Sequence, residues 1–154
     1  MKKALIAVDG SPNAQRAVEY AAQILPRLEE CEAYLLALAP SIAEQSDELD
    51  PAVAEPELHG DEDHRGEFER LSTALEASAG LLVSAGVRPE RISSKVLGLR
   101  ISKAQDIVDE ARAQGCDTII LGRRGQSRLR ALLLGSVSAE VVTKAAGLSV
   151  WVVE

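Results

Sequence analysis

Thr118-Ile119-Ile120-Leu121 runs straight into Gly122-Arg123-Arg124-Gly125, and after nine intervening residues Gly135-Ser136 opens a stretch with Val137, Val141, Val142 and Ala145. Four consecutive β-formers stopped by glycine read as a buried strand, and the apolar spacing after Ser136 reads as one face of a helix. The segment is therefore a strand, a glycine-bounded loop and a helix in succession. Working outward, similar apolar or β-branched runs occur at 4–8, 33–39, 92–97 and 149–153. They are mostly continuous rather than alternating, which suits a parallel sheet buried on both faces.

Helical stripes fill the intervals. Ala14, Ala17, Val18, Ala21, Leu25 and Leu28 follow i, i+3, i+4, i+7 spacing, as do Phe68, Leu71, Leu75, Ala79 and Leu82, and then Ala104, Ile107, Val108 and Ala111. The resulting β-α-β-α-β-α-β-α-β order predicts an α/β fold, an open five-stranded parallel sheet wound in a Rossmann-like sandwich with helices on both faces. At 154 residues this is one domain spanning 1–154. In such sheets ligands bind beyond the carboxyl ends of the strands, so the places to search follow Val8, Leu38, Leu97 and Leu121.

The net charge of −7 is concentrated. Residues 44–63 hold nine Asp and Glu and no Lys or Arg, which leaves the rest of the chain at +2. With Pro40, Pro51 and Pro56 in the same stretch, an acidic loop or insertion over about 40–65 is expected, either solvated or closing over a site. His59 and His64 lie within it and are read as solvated rather than metal-binding. With four aromatic residues and no basic stripe, a nucleic-acid surface is not expected. No apolar run approaches a bilayer span, so neither membrane insertion nor secretion is expected and a cytoplasmic location is. Cys31 and Cys116 stand apart outside any C-x-x-C pair, and are expected to be buried, reduced thiols.

The chemistry is expected in the glycine loop. Gly122 and Gly125 would allow positive φ and a close approach of backbone N–H groups to an anion. Gly135 and Ser136 stand where a helix N-terminus offers free amides and the positive end of its dipole. Ser136 is read as capping that helix or as bonding a phosphate oxygen. Arg123, Arg124, Arg128 and Arg130 add guanidinium groups able to grip phosphate. At the first strand end, Asp9-Gly10-Ser11-Pro12 has two readings: Asp9 accepts from ribose hydroxyls or holds a phosphate-bound Mg2+ through water, or Asp9 or Ser11 caps the following helix. Leu38 and Ala39 are placed to read the edge of an adenine with their backbone. A Walker loop, a G-x-G-x-x-G turn and a phospho-receiver's acidic set are all missing.

The spacing Gly122-x2-Gly125-x9-Gly135-Ser136, with Ala4-Leu5-Ile6-Ala7-Val8-Asp9-Gly10-Ser11 and Leu134-Gly135-Ser136-Val137-Ser138, resembles the ATP-binding branch of the universal stress protein family over nearly the whole chain. The resemblance implies an adenine nucleotide alpha hydrolase-like sandwich that binds ATP, with or without Mg2+, through Asp9, Gly10, Ser11, Leu38, Ala39, Gly122, Arg123, Gly125, Gly135, Ser136 and Val137. It also implies a homodimer joined through the last strand, Ser149 to Val153. The function implied is a nucleotide-dependent regulatory module read by another protein. The alternatives are a nucleotide-free dimeric scaffold and an adenine-nucleotide enzyme with slow hydrolysis. Two departures stand out: Ala146-Gly147-Leu148 replaces the family's usual proline before the last strand, and Trp151 sits within that strand.

Overall fold

The computed structural model describes residues 1–28, 30–40, 60–123 and 134–154, the side chains of 60–64 excepted. Its strands are β1 (Lys3–Ala7), β2 (Glu32–Ala39), β3 (Ile92–Gly98), β4 (Thr118–Gly122) and β5 (Ser149–Val153); its helices are α1 (Pro12–Ile24), α2 (Gly60–Ser84), α3 (Lys103–Ala113) and α4 (Ser136–Lys144). All four strand pairings are parallel, in the order β3-β2-β1-β4-β5. This is the expected doubly wound sheet.

Side chains alternate across it. Ala4, Ile6, Ala33, Leu35, Ala37 and Ile120 pack with α1 and α2 on one face. Leu5, Tyr34, Leu36, Ile119 and Leu121 pack with α3 and α4 on the other. Leu5, Ile6, Leu35, Leu36, Ile119 and Ile120 are fully buried, each such side chain contributing roughly 1.5–3 kcal/mol. The inner strands β1, β2 and β4 are almost continuously apolar because both faces are covered, whereas the edge strand β3 exposes Ser93, Ser94 and Lys95.

Local signals set the helix ends. Ser11 caps α1, its Oγ accepting from the Ala14 N–H at 3.2 Å, with Pro12 in the first turn. The chain leaves α1 through a 3-10 turn, Leu25–Arg27. Past α4, Gly147 takes φ +83, a left-handed conformation that lets glycine turn the chain into β5.

Two expectations are revised. Helix α2 begins at Gly60, so residues 60–65 of the expected acidic loop are helical; the opening Gly60-Asp61-Glu62-Asp63 has the acidic composition that a helix N-terminus favours. Residues 41–59 lie outside the described set. Phe68 and Val142, both assigned to apolar stripes, are 51% exposed, because burial on α2 begins at Leu71 and on α4 centres on Val141. Trp151 packs on the α1 face, edge-on to Tyr20 with ring centroids 6.0 Å apart.

Candidate functional site

β1 and β4 are neighbours whose following helices lie on opposite faces of the sheet, so the strand order reverses between them. A crevice opens beyond their carboxyl ends. It encloses a cavity of about 290 Å³.

Leu36, Leu38, Ile107 and Leu121 make apolar walls. Asp9 stands on the β1 side, Lys103 at the start of α3, and Gly135 to Ser138 close the cavity at the start of α4. Of the site residues expected from sequence, Asp9, Leu38, Gly122, Gly135, Ser136 and Val137 thus converge. Gly10, Ser11, Ala39 and Arg123 do not line the cavity. Gly125, Arg124, Arg128, Arg130 and His59 lie outside the described residues, as does the side chain of His64.

The turn after β1 divides its labour. Asp9 Oδ1 accepts from the Ser11 N–H at 2.9 Å, and Gly10 supplies the positive φ of +73 that the turn needs. Ser11 is committed to capping α1. Only Asp9 of the three faces the cavity.

Leu38 offers its backbone. The ladder between β1 and β2 ends where the Val8 N–H donates to the Leu36 carbonyl at 2.8 Å. Successive residues of a strand present their N–H and C=O to opposite edges, so Leu38 turns both toward the β1 side, past the last ladder bond. Ala39 faces the other way, its carbonyl accepting from the Leu99 N–H at 2.8 Å.

Only the two ends of the glycine loop are described, and Gly122 does not take the positive φ expected of it. Neither Gly122 nor Gly135 has positive φ: Gly135 lies at φ −67, ψ 156, and Gly122 is absent from the left-handed glycines. Gly122 is required for closeness, since a Cβ there would fall 2.6 Å from the backbone carbonyl of Asn13 in α1. The Gly135 N–H is also taken, donating to the Arg123 carbonyl at 2.9 Å. The Ser138 hydroxyl donates to the Arg123 and Gly135 carbonyls, with O to O distances of 2.8 and 3.0 Å. These bonds clasp the two ends of the loop together. The Arg123 guanidinium lies 2.6 Å from the Glu154 carboxylate.

Gly135 is the N-cap of α4 and has no side-chain cap, so Ser136 is the first helical residue rather than the capping one. The amides of the first turn, Ser136, Val137 and Ser138, have no acceptor four residues back within the helix, and all three residues line the cavity. Amides in such a position are able to donate to an anion.

Lys103, Ile107, Leu121 and Ser138 line the cavity without having been among the site residues expected from the sequence. The topological rule pointed after Leu97, where the loop leads to Lys103, but no motif marks the spot. The β3–α3 connection is held by Asp106, fully buried, whose Oδ2 accepts from the Arg100 N–H at 2.7 Å and the Ile101 N–H at 3.3 Å. Ser102 caps α3 through the Gln105 N–H.

The family model described as "Universal stress protein family" matches residues 1–154. The chain belongs to the universal stress protein family. Universal stress protein YxiE of Bacillus subtilis (strain 168) is 29% identical over 139 residues, covering 90% of each chain. Among solved structures, hypothetical protein MJ0577 is similar at TM-score 0.78 and 25% identity, over 99% of this chain and 94% of that one. A universal stress protein in complex with cAMP aligns at TM-score 0.70 and 19% identity, over 99% and 97%. The Archaeoglobus fulgidus universal stress protein in complex with dAMP aligns at TM-score 0.67 and 20% identity, over 100% and 98%. This universal stress protein shares their five-stranded parallel α/β architecture. Among its described residues no helix is long and apolar enough to cross a membrane.

Proposed function

We propose that this universal stress protein binds ATP at the β1/β4 crevice and serves as a nucleotide-dependent regulatory module in the stress response. The observation that carries the reading is the start of α4, which has no side-chain cap and whose first-turn residues Ser136, Val137 and Ser138 line a cavity with apolar walls. The slot between Leu38, Ile107 and Leu121 suits a purine, and the edge of Leu38 suits its hydrogen-bonding face. Asp9 is suited to ribose hydroxyls. The phosphates are drawn to the α4 amides by hydrogen bonds and by the helix dipole. The complexes of two similar proteins with cAMP and dAMP support an adenine nucleotide as the ligand class.

Asp9 is the one carboxylate in the described lining. A single carboxylate cannot hold Mg2+ alone, so a Mg2+ ion would bind mainly through the phosphates and water, with Asp9 beside it. The function is binding and signalling, in the cytoplasm. Its output is a homodimer joined along β5, which pairs with β4 on one side only, and an as yet unidentified protein partner reading that surface.

Calorimetric titration of the purified, nucleotide-stripped chain with ATP, ADP, AMP, cAMP and dAMP tests the reading. Saturable binding is expected, with ATP preferred. At a free concentration of 100 times Kd, ATP should stabilise the fold by about 2.7 kcal/mol. No heat and no stabilisation with any of the five would defeat it.

A further inference from the structure

We infer that Lys103 is the side chain by which this cavity reads phosphate, setting its preference for a charged nucleotide over the bare nucleoside; the inference rests on the nucleotide reading above. Lys103 is the first residue of α3 and lines the same cavity as the α4 N-terminus. It is the only Lys or Arg in the described lining.

Like that of Lys2, its side chain has no protein partner among the described residues, but Lys103 alone of the two lines the cavity. Lys3 pairs with Glu32, Lys95 with Glu110 and Lys144 with Glu140, whereas among the described residues Lys103 takes part in no ion pair and no side-chain hydrogen bond. Helix energetics do not explain a lysine there, because a cation in the first turn opposes the helix dipole. An anion between the starts of α3 and α4 would remove that conflict, meeting Lys103 and both dipoles at once.

Charge across the cavity gives the ligand a direction. Asp9 on the β1 side repels a phosphate, while Lys103 and the α4 amides attract one. The apolar walls between them accept an uncharged base. The backbone carrying Lys103 is held on both sides, by the Ser102 cap and by the Asp106 carboxylate that gathers the Arg100 and Ile101 amides. The ammonium therefore swings from a fixed point.

The test is calorimetry of the full chain and of Lys103→Ala, Lys103→Arg and Lys103→Glu with ATP, AMP and adenosine at two salt concentrations. Lys103→Ala should weaken ATP roughly tenfold, as expected for one partly solvated charge-assisted bond, and leave adenosine unchanged. Lys103→Arg should retain most of the ATP affinity, and Lys103→Glu should lose more than Lys103→Ala. The salt dependence of ATP binding should be shallower in Lys103→Ala. An equal loss for ATP and adenosine would mean that the stem merely packs against the ligand, and unchanged ATP affinity would mean that the ammonium touches nothing; either overturns the inference while the nucleotide reading stands. A wild-type chain that binds none of the three would remove both.

Discussion

Gly122 and Asn13 are packed so closely that a Cβ built on Gly122 would stand 2.6 Å from the Asn13 carbonyl carbon and oxygen, and 2.9 Å from its Cβ. The end of β4 and the first turn of α1 meet here without room for a side chain. Gly122→Val is therefore expected to lower stability by about 1–3 kcal/mol through overpacking, read as a fall in the urea midpoint. An unchanged midpoint would show that α1 yields freely. Affinity lost in such a variant reports displaced backbone as well as a damaged site, so Gly122 is a poor single probe of ligand binding.

Glu110 supplies a second test. It is buried on the α3 face and accepts hydrogen bonds from the Tyr34 hydroxyl at 2.6 Å, Lys95 Nζ at 3.0 Å and Gln114 Nε2 at 3.0 Å. Burial alone would raise its pKa, but the three donors and the Lys95 charge outweigh that, and the net shift is downward. A carboxyl held below its unfolded pKa binds more protons when unfolded, so its stabilisation is complete above the unfolded value, about 4.3. That stabilisation fades as pH falls through the lower folded value. Tyr34→Phe should cost about 1–2 kcal/mol at neutral pH and flatten the acid limb of the stability curve. Urea denaturation at stepped pH would show it; parallel curves for the two proteins would contradict it.

The thiols should be chemically silent in the folded protein. Both cysteines are buried. Burial pushes Cys116 up to about 11 and raises Cys31 as well, with Asp117 adding to it. A thiol reagent at neutral pH should label neither residue until denaturant is added, because the thiolate is the reactive form. Rapid native labelling of one equivalent would place that cysteine in an opening segment.

The fold was legible because its signals are local and repeated: most strands are continuous apolar runs, and each helix carries a stripe. Phe68 and Val142 were misassigned to the core because a stripe gives the direction of a face but not how far the neighbouring layer extends. Asp9, Leu38 and the start of α4, read from the strand ends and the glycine spacing, line one cavity. What remained hidden depends on distances across the sheet. The need for glycine at position 122 comes from Asn13, more than a hundred residues away in sequence, and the Gly135 amide is occupied by a carbonyl across the loop. Lys103 carries no motif, and only packing brings it into the cavity.

Asp9 separates binding from folding. Its Oδ1 accepts the Ser11 N–H in the turn that leads to the capped start of α1, and an asparagine side chain offers an equivalent oxygen there. Asp9→Asn should therefore stay within about 0.5 kcal/mol of the parent in stability, whereas Asp9→Ala, lacking the acceptor, should lose about 0.5–1.5 kcal/mol. For ATP the two should behave alike. A carboxylate that accepts from ribose hydroxyls makes charge-assisted bonds, and removing its charge should weaken ATP and adenosine together by roughly tenfold. The opposite result, tighter ATP binding by Asp9→Asn with adenosine unaffected, would mean that Asp9 only repels the phosphates and makes no bond to the sugar. Urea midpoints and calorimetry on the same two variants decide between these outcomes.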